Sequence, residues 1–239
     1  GQRCTATSRL LLHESVHDEF VEELVGKARE LRLGDGRDAD TQVGPLINQA
    51  ALDKVSSYVT VAEAEGTIRC GGERATGEGL DGGFFFQPTV VTDVTHDMDL
   101  MCKETFGPIV SIMKVRDEDE AVALANDSEY GLNGNVWTRD REKGEALACR
   151  IQTGGVCVND MAITYGLHDA PFGGVKASGI GQVNGPGGIR GYCHLLPISS
   201  DRKGKGPIQG GYPYTQKGAD GMQKFIRFLF GTRVGRWLG

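Results

Sequence analysis

From Ile109 onward the chain alternates short apolar runs with segments of helical period, and this alternation restricts the fold more than any other feature. Ile109–Val115 reads as a strand, Asp117 caps a helix running through Ala125 with Glu120 at its third position, and Leu132–Thr138 reads as a strand again. Asp140 then caps a helix to about Arg150, and Gly155–Asn159 is the next strand. Consecutive strands separated by a helix cannot form tight hairpins. They need crossovers, which place them parallel in a sheet with helices on its faces.

The first half follows the same logic less regularly. Thr7–His13 reads as a buried strand, and Ser15, with Asp18 three residues on, reads as the N-cap of the next helix. Phe20, Val21, Leu24, Val25, Ala28 and Leu31 recur at helical period, and Gly34-Asp35-Gly36 stops that helix. A second helix is expected from Asn48 to Glu65, ended by Gly66, and a short strand over Thr67–Cys70. Phe84–Val91 is expected to be an edge or irregular strand because Pro88 interrupts it, and Asp93–Lys103 to hold a short helical turn. Tyr192–Ile198 reads as a final strand. The predicted class is α/β, a mostly parallel twisted sheet with flanking helices.

At 239 residues the chain can bury a core of one large α/β domain or two small ones. A net charge of −6 argues against a nucleic-acid partner, because a polyanion would be repelled. The six cysteines, Cys4, Cys70, Cys102, Cys149, Cys157 and Cys193, include no CxxC pair and no histidine at metal-ligand spacing. No metal site is expected, and a reducing, cytoplasmic setting is. No run approaches the ~18 apolar residues that would span a bilayer.

Two stretches could carry chemistry. Cys4 follows Gly1-Gln2-Arg3 at the mouth of a loop that turns into a strand, a setting that leaves a thiol reachable on one side and held on the other. Arg3 beside it would favour the thiolate, the reactive form. The other reading of Cys4 is a small packing side chain. In Glu104-Thr105-Phe106-Gly107-Pro108, a carboxylate and an aromatic ring two residues apart point the same way on an extended segment. Such a pair can hold a ligand with hydroxyls next to a flat ring; the other reading is an exposed acid beside a core phenylalanine. Gly179-Ile180-Gly181-Gln182-Val183-Asn184 places its third glycine one residue late for a dinucleotide fingerprint and reads as a glycine-rich loop. His168 and His194 lack a partnered nucleophile motif, and Cys157 reads as core.

Gly1-Gln2-Arg3-Cys4-Thr5, Lys103-Glu104-Thr105-Phe106-Gly107-Pro108 and Pro171-Phe172-Gly173-Gly174-Val175-Lys176-Ala177-Ser178-Gly179-Ile180-Gly181 together resemble the aldehyde dehydrogenase superfamily, in its order and at roughly its spacings. Gly154-Gly155-Val156-Cys157-Val158-Asn159 is similar to the family strand that ends in an asparagine near the active site. The resemblance covers Gly1 to about Ile198, the family's catalytic domain. It implies that Cys4 attacks an aldehyde to give a thiohemiacetal, that hydride leaves to NAD or NADP, and that water hydrolyses the resulting thioester. It also implies that the Cys4 backbone N–H is an oxyanion donor, that Glu104 binds the nicotinamide ribose and that Phe106 packs against the ring. The family's general base, a glutamate in a Glu-Leu-Gly-Gly motif thirty-odd residues before the cysteine, is not within this chain. The expectation is therefore a fragment that does not turn over alone.

By the same resemblance residues 1–191 form the catalytic domain, and 192–198 is an oligomerisation strand that extends a neighbour's sheet in a homodimer or homotetramer. Residues 199–211, rich in Gly, Lys and Ser, read as a linker, and 212–239 as a basic apolar tail. In that tail Phe225, Phe228, Leu229, Phe230, Val234, Trp237 and Leu238 lie among Lys224, Arg227, Arg233 and Arg236, with Gly231 and Gly235 working against one continuous helix. Packing against protein and contact with a membrane surface are both open to such a tail. A non-catalytic assembly or interaction module that keeps the fold is the alternative to the enzyme.

Overall fold

The computed structural model describes residues 1–200 and 213–232. The chain divides into two compact units, 1–193 and 194–239.

In the first unit β1 (Arg9–His13) leads into α1 (Glu14–Glu30), then α2 (Gln49–Glu65), β2 (Thr67–Cys70), β3 (Thr89–Thr92), α3 (Asp99–Cys102) and β4 (Ile109–Val115). The four strands form one sheet in the order β1-β4-β3-β2. β4 pairs parallel with both β1 and β3, with Arg9 opposite Ser111 and Thr89 opposite Ile109, while β2 runs antiparallel to β3 at the edge.

The period of two along each strand sorts side chains onto two faces. Val90 and Ile112 join Val21, Val25 and Ala28 of α1, with Leu10, Leu12 and Val110 packed alongside. Val91 and Ile109 join Leu52, Val55, Val59 and Ala62 of α2, with Leu11 and Met113 alongside. The sheet is thus a layer between α1 and α2, and its apolar alternation is the reason both helices stay.

The caps follow the sequence with one exception. Asn48 Oδ1 accepts from the Ala51 N–H at 2.9 Å, closing the start of α2. Asp117 Oδ1 accepts from Glu120 N–H at 2.8 Å at the start of α4 (Glu118–Asn126), and Asp140 Oδ1 from Lys143 N–H at 3.0 Å at the start of α5 (Arg141–Ala148). Ser15 is not the cap of α1. The helix begins at Glu14, and the His13 ring nitrogen Nδ1 accepts from the Ser15 N–H at 3.2 Å, doing the work predicted for the hydroxyl.

Three further expectations change. The strand expected at Thr7 begins at Arg9. The one expected over Phe84–Val91 exists only as Thr89–Thr92, because Pro88 has no N–H to give a ladder. Ahead of it Ala75 donates to the Phe85 carbonyl and Gln87 to the Glu73 carbonyl, each at 3.0 Å, in a local bridge. The later alternation does not extend the first sheet. α4 packs on β1 and β4, and Arg9 Nη2 donates to the Ala125 carbonyl at 3.5 Å. β5 (Asn133–Val136) pairs parallel with β6 (Gly155–Val158) in a separate sheet, Asn133 opposite Gly155.

The unit closes with α6 (Ile163–Gly166) and α7 (Gly185–Arg190). The final strand predicted at Tyr192–Ile198 is not formed. Residues 192–193 finish a turn and 194–200 carry no regular structure. A strand is defined by the ladder it makes, and this stretch finds no ladder among the described residues; Tyr192, Leu195, Leu196 and Ile198 are each about 80–90% exposed.

In the second unit α8 (Gln216–Gly231) is capped by Thr215 Oγ1, which accepts from the Gly218 N–H at 3.1 Å. It ends at Gly231, as a helix-weakening glycine there suggests. Most of the predicted linker, at 201–211, and the tail's last residues, 233–239, lie outside the described residues.

Candidate active site

Cys4 sits in a four-residue turn closed by the Ala6 N–H on the Arg3 carbonyl at 2.9 Å, just before β1. The thiol is free and exposed, while the next residue, Thr5, is buried at 7% exposure. The turn is held from both sides. Gln2 Oε1 accepts from the Ile47 N–H at 2.9 Å, and the Arg3 guanidinium lies 5.6 Å over the centre of the Tyr165 ring.

The second predicted segment lies directly against this turn. A Cβ placed at Gly1 would fall 1.8 Å from the Gly107 carbonyl oxygen, so the two backbones touch where no side chain fits. Gly107 is itself pressed onto α2, since a Cβ there would meet Val55 at 2.2 Å. Lys54 of α2 donates from Nζ to the Glu104 carbonyl at 3.1 Å, and Thr105 is buried at 5% exposure. Glu104 and Phe106 on either side of it are exposed, so the extended segment turns those two side chains outward together.

Phe106 has φ of 53°, a left-handed conformation that a bulky residue adopts only at a cost of about 1–3 kcal/mol. It is 36% exposed, so Phe106 is not a core side chain. Tyr130 lies beside Glu104. Its phenol is pushed above the ordinary range first by burial, then by the hydrogen bond to Glu129 and the negative charges of Glu129 and Glu104.

The third motif forms a loop stitched to the β5–β6 sheet. Val175 N–H and Gly154 N–H both donate to the Gly131 carbonyl, at 2.8 and 3.1 Å, and Ser178 Oγ accepts from the Gly131 N–H at 2.9 Å. Lys176, with φ of 55°, reaches across to donate to the Asn126 carbonyl at the end of α4 at 2.6 Å. Phe172 is buried and meets Tyr165 edge-on at 5.3 Å between ring centres. Phe172, Tyr165 and Arg3 therefore form a continuous stack from this loop to the Cys4 turn.

The structure brings Cys4, Glu104 and Phe106 into one region through touching backbone. Asn159, predicted near the site, uses its side chain on its own neighbour strand: Oδ1 accepts from the Thr138 N–H and Nδ2 donates to the Thr138 carbonyl, both at 2.9 Å. Three residues escaped the sequence reading. Tyr165, Lys54 and Tyr130 lie in segments with no motif of their own, and only the three-dimensional approach of distant stretches reveals them. Two surface clefts, one lined by Glu63, Thr67, Ile68 and Glu73 and one by Ala28, Leu31, Cys70 and Leu80, contain none of the three predicted residues. Among the described residues no cluster of His, Cys, Asp and Glu could hold a metal ion.

The family model for the aldehyde dehydrogenase family matches residues 1–196. A betaine aldehyde dehydrogenase of Brucella anthropi is 42% identical over 199 residues, which is 83% of this chain and 40% of that relative. The crystal structure of betaine aldehyde dehydrogenase from Staphylococcus aureus in complex with NAD+ superposes with a TM-score of 0.78 at 37% identity, covering 84% of this chain and 42% of that one. An aldehyde dehydrogenase from Bacillus cereus, an E-to-S mutant, gives 0.75 at 36% identity over 80% of this chain and 38% of its own. The chain spans about two fifths of the length of the curated relatives it matches. With the three motifs gathered as described and the family model matched across them, this chain belongs to the aldehyde dehydrogenase family.

Proposed function

We propose that the chain supplies the nucleophile and part of the cofactor seat for oxidation of an aldehyde to a carboxylic acid with NAD or NADP. The observation that carries this reading is the contact of Gly1 with Gly107, which sets the Cys4 turn against the segment bearing Glu104 and Phe106. The Cys4 sulfur forms a bond to the aldehyde carbon, giving a thiohemiacetal, and the Cys4 N–H donates to the oxygen as negative charge gathers there. The cofactor, when bound, supplies the hydride acceptor. Loss of hydride from the carbon leaves a thioester on Cys4, and water cleaves the C–S bond to release the acid and restore the thiol.

The residues present suit such a cofactor. The Glu104 carboxylate is exposed, makes no hydrogen bond among the described residues, and can accept from two adjacent hydroxyls. Phe106, two residues on, is also partly exposed. The S. aureus relative is described in complex with NAD+, and the Brucella relatives as betaine aldehyde dehydrogenases, which directs attention to small aldehydes with a cationic end. Assayed in the full-length protein, Glu104→Gln and Phe106→Ala should each raise the KM for NAD(P) by about tenfold or more, the cost of one charge-assisted hydrogen bond or one lost ring contact. Unchanged cofactor KM in both variants would sink the assignment.

An assembly role goes with the enzyme rather than replacing it. Tyr192–Ile198 is apolar, exposed and unpaired among the described residues, a stretch suited to adding a strand to a second copy. Leu195→Asp should shift a homodimer or homotetramer toward monomer in light scattering. An unchanged mass would leave that stretch without an assembly role.

A further inference from the structure

We infer that α8 is a docking helix for an anionic phospholipid surface, lying in the plane of the lipid headgroups. Met222, Phe225, Ile226 and Leu229 are spaced i, i+3, i+4 and i+7, which puts them on one face, flanked by Phe228 and Phe230. Lys217, Asp220, Lys224 and Arg227 follow the same rule on the opposite face. Met222, Phe225, Ile226, Phe228 and Phe230 are 44–74% exposed, Leu229 is half-buried, and no residue of α8 is fully buried.

An uncovered helix of this composition does not hold itself together in water. Sixteen residues is close to the length at which isolated helices are marginal, and the interior glycines Gly218 and Gly221 each cost about 1 kcal/mol relative to alanine. The helix therefore needs a surface that covers its apolar face. Charge selects which surface. α8 carries three bases, Lys217, Lys224 and Arg227, against the single acid Asp220, in a chain whose net charge is −6. Phenylalanines on one side and a basic flank on the other match the lipid interface, where rings enter the acyl boundary and the bases meet phosphate and carboxylate headgroups. α8 is not a crossing segment: among the described residues no helix is long and apolar enough to cross a membrane.

The test is co-sedimentation of the full chain with vesicles of phosphatidylcholine alone and of phosphatidylcholine with 30% phosphatidylserine, with circular dichroism on the same samples. The chain should pellet with the anionic vesicles at least about tenfold more than with the neutral ones, gain helical signal as it does so, and release as salt rises. Phe225→Asp with Leu229→Asp should abolish pelleting, and Lys224→Glu with Arg227→Glu should reduce it about tenfold or more. Neither pair belongs to the core of residues 1–193, so the main thermal transition should not move, which separates lost docking from lost folding. Absence of pelleting in the unaltered chain would overturn the proposal. So would pelleting that survives Phe225→Asp with Leu229→Asp. A lipid-free oligomer that those two substitutions dissociate would overturn it too, by assigning the face to a second copy.

Discussion

Cys4→Ala is expected to lower aldehyde oxidation by the full-length protein by about a thousandfold or more, and Cys4→Ser by nearly as much. The reason is specific to the covalent route. Without sulfur at position 4 no thiohemiacetal forms, and a serine hydroxyl at the same place has no general base among the residues placed around it. The structure removes two of the six cysteines from the experiment. Cys70 and Cys157 are buried, the first packed with its Sγ 3.8 Å from the Pro88 carbonyl and the second 3.8 Å from Thr164 Oγ1. Cys4, Cys102, Cys149 and Cys193 are exposed, so exposure alone does not mark Cys4. Limited iodoacetamide treatment followed by peptide mapping should show Cys4 modified in step with loss of activity, and Cys102→Ser, Cys149→Ser and Cys193→Ser should retain activity. Full activity after complete modification of Cys4, or in Cys4→Ala, would remove the nucleophile assignment from that residue.

Much of the fold was legible because it rests on short-range chemistry. Asp117 and Asp140 cap the helices they were expected to cap, since a side-chain oxygen three residues before an open N–H is a local matter. Ile109–Val115 was legible end to end because both faces are buried and its apolar pattern is nearly continuous. What failed depended on partners elsewhere in the chain. β5 and β6 pair with each other in a sheet of their own, and nothing in Leu132–Thr138 itself records that. Tyr192–Ile198 has the composition of a strand, but the ladder expected for it belongs to a second copy rather than to this chain. The site divides in the same way. Cys4, Glu104 and Phe106 could be read from motifs, but Tyr165 acquires meaning only when Arg3 and Phe172 close on it from positions 162 residues before and 7 after.

That stack leads to the prediction with the largest structural effect, Gly154→Ala. Gly154 does not have the positive φ that favours glycine, so the obstacle argued for alanine is space. A Cβ at 154 would lie 1.5 Å from the Gly173 carbonyl oxygen and 3.3 Å from that of Leu132. Both are backbone atoms, which cannot rotate away as the tip of a side chain can. Either the β5–β6 sheet or the Phe172–Lys176 loop must move, at a cost of about 3 kcal/mol or more, which for a domain of this size lowers the Tm by roughly 6–12 °C. Gly26 is the matched control. It lies on the exposed side of α1 with nothing within 4 Å of a built Cβ, so Gly26→Ala should stabilise by about 0.5–1 kcal/mol through helix propensity. The two alanines should thus shift Tm in opposite directions. Movement of the loop should also travel. Phe172 supports Tyr165, and Tyr165 lies under Arg3, next to the nucleophile, so Gly154→Ala should change the rate of Cys4 alkylation below the unfolding transition while Gly26→Ala leaves it alone. An unchanged rate in both would mean that the Cys4 turn is held by Gln2 and the Gly1–Gly107 contact without help from the aromatic stack.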